Sequence, residues 1–273
     1  MTDEGLRLCV PTGPARRWLR LVWEWPGYTG SGACDRILPH GLCEVSWELN
    51  RGHRLLRDGQ LERFDGPTFI GPSTTPYWVD TPVPMHLFGM LFVPGAARFV
   101  LGSSVEDARG CFCSFSDIPL GNRLVTEVGD ARSWEGRAAV VLDSFANLPA
   151  PQIGRATSAL LRAWTDAPTR SVKSVRAALG MSAPTFVKQV RHDLGLRPAE
   201  VRQLARFRQA LARVAEGGPL ARVALESGYA DQAHMSRSFR RFSGLTPRAV
   251  RPRSAAHPFH LPEAGFPFVQ DAP

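Results

Sequence analysis

The sequence predicts an α+β protein of two domains, a β-rich and barrel-like N-terminal domain with helices and an all-α C-terminal domain. Short apolar runs punctuated by Gly and Pro fill the first 120 residues of the 273-residue chain, as in a β-barrel or sandwich. The last third instead carries a repeated helical pattern. Charge divides at the same place, because Pro168 to Arg253 holds 17 Lys and Arg against 5 Asp and Glu, whereas the whole chain is +8. A basic module beside a weakly acidic one is typical of nucleic-acid binding.

Three runs in the N-terminal part have the patterns of strands. Residues 18–25 and 42–49 are rich in Trp, Val and Leu, and the second run alternates apolar with polar side chains. Residues 86–93 are almost continuously apolar, as in a fully buried strand. Five of the seven tryptophans lie in the first 80 residues. Two roles are open for these rings, the lining of a ligand cavity and simple filling of the core.

Catalytic patterns are missing from the sequence. It has no convincing paired carboxylates, nucleophile elbow, His-x-His pair or Gly-rich phosphate loop. We therefore predict that the chain is not an enzyme and needs no cofactor or metal. The odd number of cysteines, five, favours free thiols over a disulfide framework. The close pair Cys111 and Cys113 leaves an alternative open, a thiol-chemistry sensor or enzyme domain fused to a DNA-binding domain.

Neither a membrane span nor a secretion signal is expected. No apolar run reaches the length that a membrane helix needs. The N-terminus is acidic and then mixed, and it lacks the basic and apolar blocks of a signal peptide. The sequence thus predicts a cytoplasmic protein with no membrane partner.

Helical patterns cover residues 121–165 and break at the Pro-containing stretch 147–151. The break divides the chain into a sensing or dimerisation domain at residues 1–150 and a DNA-binding domain at residues 151–253. Residues 254–273 are rich in proline and are expected to form an irregular tail. The helices before the break suit either a dimer face or a linker.

The C-terminal part repeats a helix-turn-helix pattern. Residues 182–198 align with residues 231–247 at an offset of 49. Each copy opens on a capping residue, Ser182 or Asp231, and ends in Gly-Leu-x-Pro. Another helix ends at a glycine just before each copy, and one long helix over 198–216 joins the two units. Such a helix would place both reading helices on successive major-groove faces, about 34 Å apart.

Exposed polar side chains on the two reading helices are the candidate DNA contacts. Arg237 and Gln232 have the bidentate chemistry that reads guanine and adenine edges, and Arg240 and Arg241 suit phosphates. The predicted DNA-binding set comprises Thr185, Lys188, Gln189 and Arg191 in the first unit and Gln232, His234, Ser236, Arg237, Arg240 and Arg241 in the second. A small helical bundle with a solvated basic face is the alternative.

Residues 228–247 carry a specific pattern, GYADQAHMSRSFRRFSGLTP. They resemble the second unit of the AraC/XylS family of bacterial transcription regulators, roughly G-[FY]-x-D-x-x-[HY]-[FM]-[ST]-R-x-F-[RK]-[RK]-x-x-G-x-[ST]-P. The resemblance implies a DNA-binding domain with two helix-turn-helix units over residues 160–253. More loosely, residues 35–41 (DRILPHG), 70–72 and 88–95 resemble a β-rich N-terminal domain of one subgroup of these regulators.

The first unit departs from the family pattern G-x-S-x-R-x-L-x-R-x-F, because Pro184 stands at the first Arg position and Lys188 at the second. Proline is tolerated in the first turn of a helix but offers no side-chain contact to a base. We therefore expect the first unit to read fewer bases and to contribute more affinity for the DNA backbone.

The family implies a sequence-specific regulator that binds double-stranded promoter DNA. An unknown small-molecule effector, or homodimerisation, would modulate it through the N-terminal domain. RNA polymerase is a further possible partner.

Overall fold

The computed structural model describes residues 5–28, 34–50, 52–57, 60–80, 84–166, 170–250 and 260–263. Within these ranges, strands form two antiparallel sheets and helices make up the C-terminal part. The predicted α+β architecture is confirmed. Among the helices described, none is both long and apolar enough to cross a membrane.

The strands form one sheet of six and one of five. In chain order they are β1 (Arg7–Cys9), β2 (Leu19–Tyr28), β3 (Cys34–Ile37), β4 (Glu44–Glu48), β5 (His53–Arg57), β6 (Gln60–Phe64), β7 (Thr68–Ile70), β8 (Tyr77–Asp80), β9 (Met85–Phe92), β10 (Phe112–Ser114) and β11 (His260–Glu263). The sheet orders are β1-β2-β9-β4-β7-β10 and β11-β3-β8-β5-β6. The three predicted strands are β2, β4 and β9. Strand β9 pairs with β2 on one side and β4 on the other. Its run is apolar almost throughout because its side chains are buried in two core clusters, Phe88, Met90 and Phe92 in one and Met85 and Leu87 in the other.

Helices follow the sheets in two groups. They are α1 (Ala97–Leu101), α2 (Pro119–Asp130), α3 (Trp134–Ala146), α4 (Arg155–Asp166), α5 (Val172–Ala178), α6 (Ala183–Leu194), α7 (Pro198–Ala215), α8 (Leu220–Glu226) and α9 (Gln232–Ser243). Apolar residues of α2 and α3 share a core with the six-stranded sheet. Helix α4 packs instead with α5 and α6, so the helical C-terminal part begins after the proline break.

Aromatic rings fill the space between the six-stranded sheet and its helices. Trp18 is buried, and its ring centroid lies 5.9 Å from that of Phe145 and 6.2 Å from that of Phe99. The cavity beside Trp47 and Phe88 has a volume of about 10 Å³, which is room for about one water molecule. Around Trp47 and Phe88 the rings fill the core, whereas Trp18 and Phe99 also line a separate cavity of about 450 Å³.

The tail contains a strand where an irregular segment was expected. Strand β11 pairs antiparallel with β3, with Leu261 opposite Arg36. An edge strand such as β3 exposes backbone N–H and C=O groups that accept another strand. Local sequence does not show this pairing, because its partner lies more than two hundred positions earlier. The remaining residues of the predicted tail lie outside the described ranges.

Candidate DNA-binding interface

The second helix-turn-helix unit is built from α8, a glycine turn and α9. Gly228 takes the left-handed conformation at φ 75°, which reverses the chain after α8. Asp231 caps α9, since its Oδ1 accepts a hydrogen bond of 2.6 Å from the N–H of His234. Phe239 is buried, with its ring centroid 5.0 Å from that of Phe207 on α7. The opposite face of α9 is therefore turned outward.

The outward face of α9 carries the predicted DNA contacts. Gln232, Arg237, Arg240 and Arg241 are exposed, and His234 and Ser236 are half-exposed. The ring of His234 meets Tyr229 edge-on at 5.2 Å, and Arg241 Nη1 donates to Gln203 Oε1 at 2.8 Å. The structure thus brings all six residues together on one helix, in and after its first turn.

The sequence analysis did not predict the role of one cation in this unit, Arg206. Arg206, on α7, donates to the carbonyl of Gly228 at 3.1 Å and lies 5.2 Å from the ring centroid of Tyr229. Burial and the neighbouring Arg202 lower the pKa of Arg206. It stabilises the turn between α8 and α9. The apolar periodicity of α7 does not reveal this contact, because the partner of Arg206 is a backbone carbonyl in another part of the chain.

The first unit repeats the geometry with a different use of its side chains. Gly180 takes φ 62°, and Ser182 Oγ accepts a 3.3 Å hydrogen bond from the N–H of Thr185. Thr185 and Lys188 are exposed as predicted. Pro184 occupies the first turn of α6, where a missing N–H costs nothing.

Two residues predicted to face DNA are engaged inside the chain. Gln189 Oε1 accepts a 2.7 Å hydrogen bond from the N–H of Ala156, at the start of α4. Arg191 forms an ion pair with Glu106 of the N-terminal domain. The first helical turn of α4 has N–H groups without a partner inside the helix, and Gln189 satisfies one. Helical spacing alone cannot reveal either partner, and it predicted both side chains as exposed.

The N-terminal domain also holds the start of α7. Arg109 makes two hydrogen bonds of 2.9 Å to the carboxylate of Glu200. Burial alone would raise the pKa of Glu200, but the hydrogen bonds from Arg109 and from the Arg197 N–H lower it. The carboxylate stays charged, so the ion pair fixes the linking helix against the N-terminal domain.

The surroundings of Cys113 do not activate its thiol. Cys111 is exposed and Cys113 half-buried. Burial raises the pKa of Cys113, and the neighbouring Cys111 raises it further. A raised pKa leaves the thiol protonated and poorly nucleophilic. In the ranges that the structure describes, no group of three or more His, Cys, Asp or Glu side chains is arranged to hold a metal ion.

Comparisons with known proteins agree with this geometry. Residues 176–253 match a family model described as a helix-turn-helix domain, and residues 9–112 match a domain of unknown function (DUF6597). No curated protein sequence matches the chain.

Similar solved structures include ToxT from Vibrio cholerae, at 12% identity and a TM-score of 0.49, covering 89% of this chain and 97% of ToxT. A second ToxT structure, bound to (E)-4-(8-methylnaphthalen-1-yl)but-3-enoic acid, is 11% identical with a TM-score of 0.48, and the match covers the same shares of the two chains. The AraC-like transcriptional activator CuxR is 13% identical with a TM-score of 0.29, covering 82% of this chain and 91% of CuxR.

Two capped helix-turn-helix units joined by one helix, behind a β-rich domain, define a DNA-binding transcription regulator. The match over residues 176–253 is to a helix-turn-helix domain, and it includes the motif at residues 228–247 through which the chain resembles the AraC/XylS type. The predicted resemblance is confirmed.

Proposed function

We propose that the chain regulates transcription by binding promoter DNA with both units, and that α9 supplies most of the base recognition. The observation that supports this is the outward face of α9, where the guanidinium groups of Arg237, Arg240 and Arg241 stand on one capped helix. Arg237 reads a base edge, while Arg240 and Arg241 bind phosphates. Lys188 and Thr185 on α6 add contacts to the DNA backbone.

Arg237→Ala tests this assignment. Binding sites are first selected from random DNA with the full chain, and affinities for single-base variants are then measured by titration. We expect a loss of about 1–3 kcal/mol and relaxed specificity at one base position. Arg123→Ala is the matched control, because it removes an exposed arginine from α2 of the N-terminal domain. An equal loss on every sequence would make Arg237 a phosphate contact and overturn its role in base reading.

The same proposal includes a small-molecule effector. A cavity of about 390 Å³ lies between the domains, lined by residues of both. Its walls are mainly apolar, with Leu42 and Pro94 from the N-terminal side and Leu161, Leu194, Leu196, Val201 and Leu204 from the helical side. Arg20 and Arg208 also line it. Apolar walls with a few polar groups are typical of ligand sites.

The two arginines indicate the charge of the effector. Burial, and then the like charge of Arg20, lowers the pKa of Arg208 to about 10. An anionic group placed between the two guanidinium groups would relieve this repulsion and accept charge-assisted hydrogen bonds. The effector that fits is a small amphipathic anion, such as a carboxylate with an apolar chain.

Thermal unfolding of the full chain with straight-chain carboxylates of increasing length tests the effector site. A ligand that binds the folded state raises Tm, and above its Kd the rise grows with the logarithm of the ligand concentration. We expect Arg208→Ala to abolish the rise and Arg123→Ala to retain it. A rise that survives Arg208→Ala would place the ligand elsewhere.

Dimerisation is the other mode of control that the sequence allows. The outward side of α2 presents Asn122, Arg123 and Thr126, which are polar and exposed. A polar face is poorly suited to an obligate dimer interface, so the cavity supports control by an effector better. Sedimentation of the full chain with and without DNA separates the two modes. RNA polymerase, as a partner of the DNA-bound regulator, belongs to the same proposal.

A further inference from the structure

Residues 35–41 have the sequence DRILPHG, and only the end of this segment, at His40 and Gly41, lines the cavity proposed for the effector. The segment begins in β3 and continues into the turn after it. We name residues 35–41 the docking segment. Although it belongs to the N-terminal domain by sequence, several of its residues contact the helical domain.

Arg36 meets the C-terminal end of the second reading helix. Its Nη1 donates a hydrogen bond of 2.5 Å to the carbonyl oxygen of Ser243, the last residue of α9. The last carbonyls of a helix have no partner inside it, and the negative end of the helix dipole favours a cation there. Gly244 follows at φ 74°, and a Cβ atom at that position would lie 3.1 Å from Arg36 Nη1. The glycine therefore leaves room for the guanidinium.

Leu38 is part of the helical core. Its side chain is fully buried, in one cluster with Phe207, Leu211 and Phe242 of α7 and α9. An N-terminal residue thus completes the core around which the second unit is built. Removing a fully buried leucine from such a core leaves a cavity that the surroundings cannot fill.

The end of the docking segment lies against α7. Arg208 Nη1 is 3.4 Å from the carbonyl oxygen of His40, to which it donates. Gly41 has φ 73°, and a Cβ atom there would come within 2.9 Å of Leu204 Cδ1. Only glycine satisfies both the left-handed backbone and this close approach.

A second connection reaches the same strand. Strand β11, which follows the second unit in sequence, pairs with β3, with Leu261 opposite Arg36 and His260 opposite Ile37. The segment around β3 therefore contacts the helical domain through its side chains, and β3 pairs through its backbone edge with the strand that follows that domain in sequence.

We propose that the docking segment is an intramolecular interaction surface whose partner is the second helix-turn-helix unit. Arg36 caps the end of α9, Leu38 fills the core beneath it, and Gly41 seats the turn on α7. The exposed face of α9 stays open to DNA, so the segment positions the reading helix without covering it. Gly41 and Arg208 also line the cavity proposed for the effector, whereas the contacts of Arg36 and Leu38 lie outside it.

The docking segment also bears on the spacing of the two units. The first unit is held to the N-terminal domain by the Arg191–Glu106 ion pair and by a 3.1 Å backbone hydrogen bond from Val105 to His192. With both units fastened to one domain, the separation of the reading helices is set by that domain as well as by α7.

Hydrogen exchange of the full chain without DNA tests the docking. Leu38→Ala should lower protection in α7 and α9 by at least about tenfold. Leu55→Ala is the matched control, since Leu55 is equally buried but packs in the cluster of the five-stranded sheet; its loss should fall mainly on that sheet. Unchanged protection in α7 and α9 after Leu38→Ala would overturn the proposal.

Two less disruptive substitutions test the docking if the Leu38→Ala variant does not fold. Arg36→Gln should speed exchange in the last turn of α9, whereas Arg54→Gln, which removes the Arg54–Asp80 ion pair of the same sheet, should not. Equal effects of both variants on α9 would also overturn the docking. The docking and the proposed function can fail separately. If exchange responds as expected but the chain binds no DNA, the docking is supported and the proposed function is refuted.

Discussion

The two helix-turn-helix units have the same backbone plan and use it differently. In the second unit, the glycine turn, the aspartate cap and the buried Phe239 leave an arginine-rich face open to solvent. In the first unit, Gln189 is bonded to α4 and Arg191 to Glu106, so two of the four predicted contacts serve the protein itself. A repeated sequence therefore does not imply a repeated role. In the first unit part of the predicted contact face is bonded to the rest of the chain, whereas in the second unit the arginine-rich face is exposed.

Among the tests of this contrast, we expect the largest effect from truncating the buried phenylalanine beneath each reading helix. Phe239→Ala should lower the free energy of unfolding by about 3–5 kcal/mol, because it empties the contact with Phe207. Phe186→Ala is the matched change in the first unit, where Phe186 is also fully buried. Urea denaturation of the full chain measures both. A loss below about 1 kcal/mol for Phe239→Ala would mean that α9 is not packed as described.

The helix caps provide the next test. Asp231 accepts a shorter hydrogen bond than Ser182, 2.6 Å against 3.3 Å, and its charge favours the helix N-terminus. We expect Asp231→Ala to cost about 1–2 kcal/mol of stability and Ser182→Ala about 0.5–1 kcal/mol. The same denaturation curves measure the two costs. Equal costs would show that the caps do not distinguish the units.

Lys188 tests whether the first unit touches DNA at all. Lys188→Ala should weaken binding to all sequences alike and reduce the slope of log K against log salt by about one. Titrations at several salt concentrations, on the selected site and on unrelated DNA, provide the measurement. An unchanged slope would remove the first unit from the DNA.

The smallest expected effect concerns the Arg191–Glu106 ion pair. Both side chains are more than one-third exposed, so Glu106→Gln should change stability by less than about 1 kcal/mol. It would release Arg191 and steepen the salt dependence of DNA binding slightly. Glu127→Gln, which removes an exposed acid from α2, is the control. Weaker DNA binding after Glu106→Gln would show that the ion pair positions α6 for binding instead of restraining it.

Local features of this chain were predictable, and long-range partners were not. The spacing of Met235, Phe239 and Phe242 indicates the buried side of α9, and Asp231 indicates its start, because helical periodicity and capping act within a few residues. The partner of Gln189 lies on another helix, and that of Arg191 lies in another domain. Pairing of β11 with β3 depends equally on tertiary packing. These contacts leave no periodic signal in the sequence.

The hydrogen bond between Arg36 and Ser243 joins residues 207 positions apart. During synthesis, Arg36 leaves the ribosome 207 residues before Ser243, at the end of the helix that it caps. Leu38 therefore lacks its apolar neighbours until α7 and α9 have emerged. Closing so long a loop makes this a late and slow step of folding. The interval exposes an apolar side chain at a sheet edge, where a chaperone or a neighbouring nascent chain would compete for it.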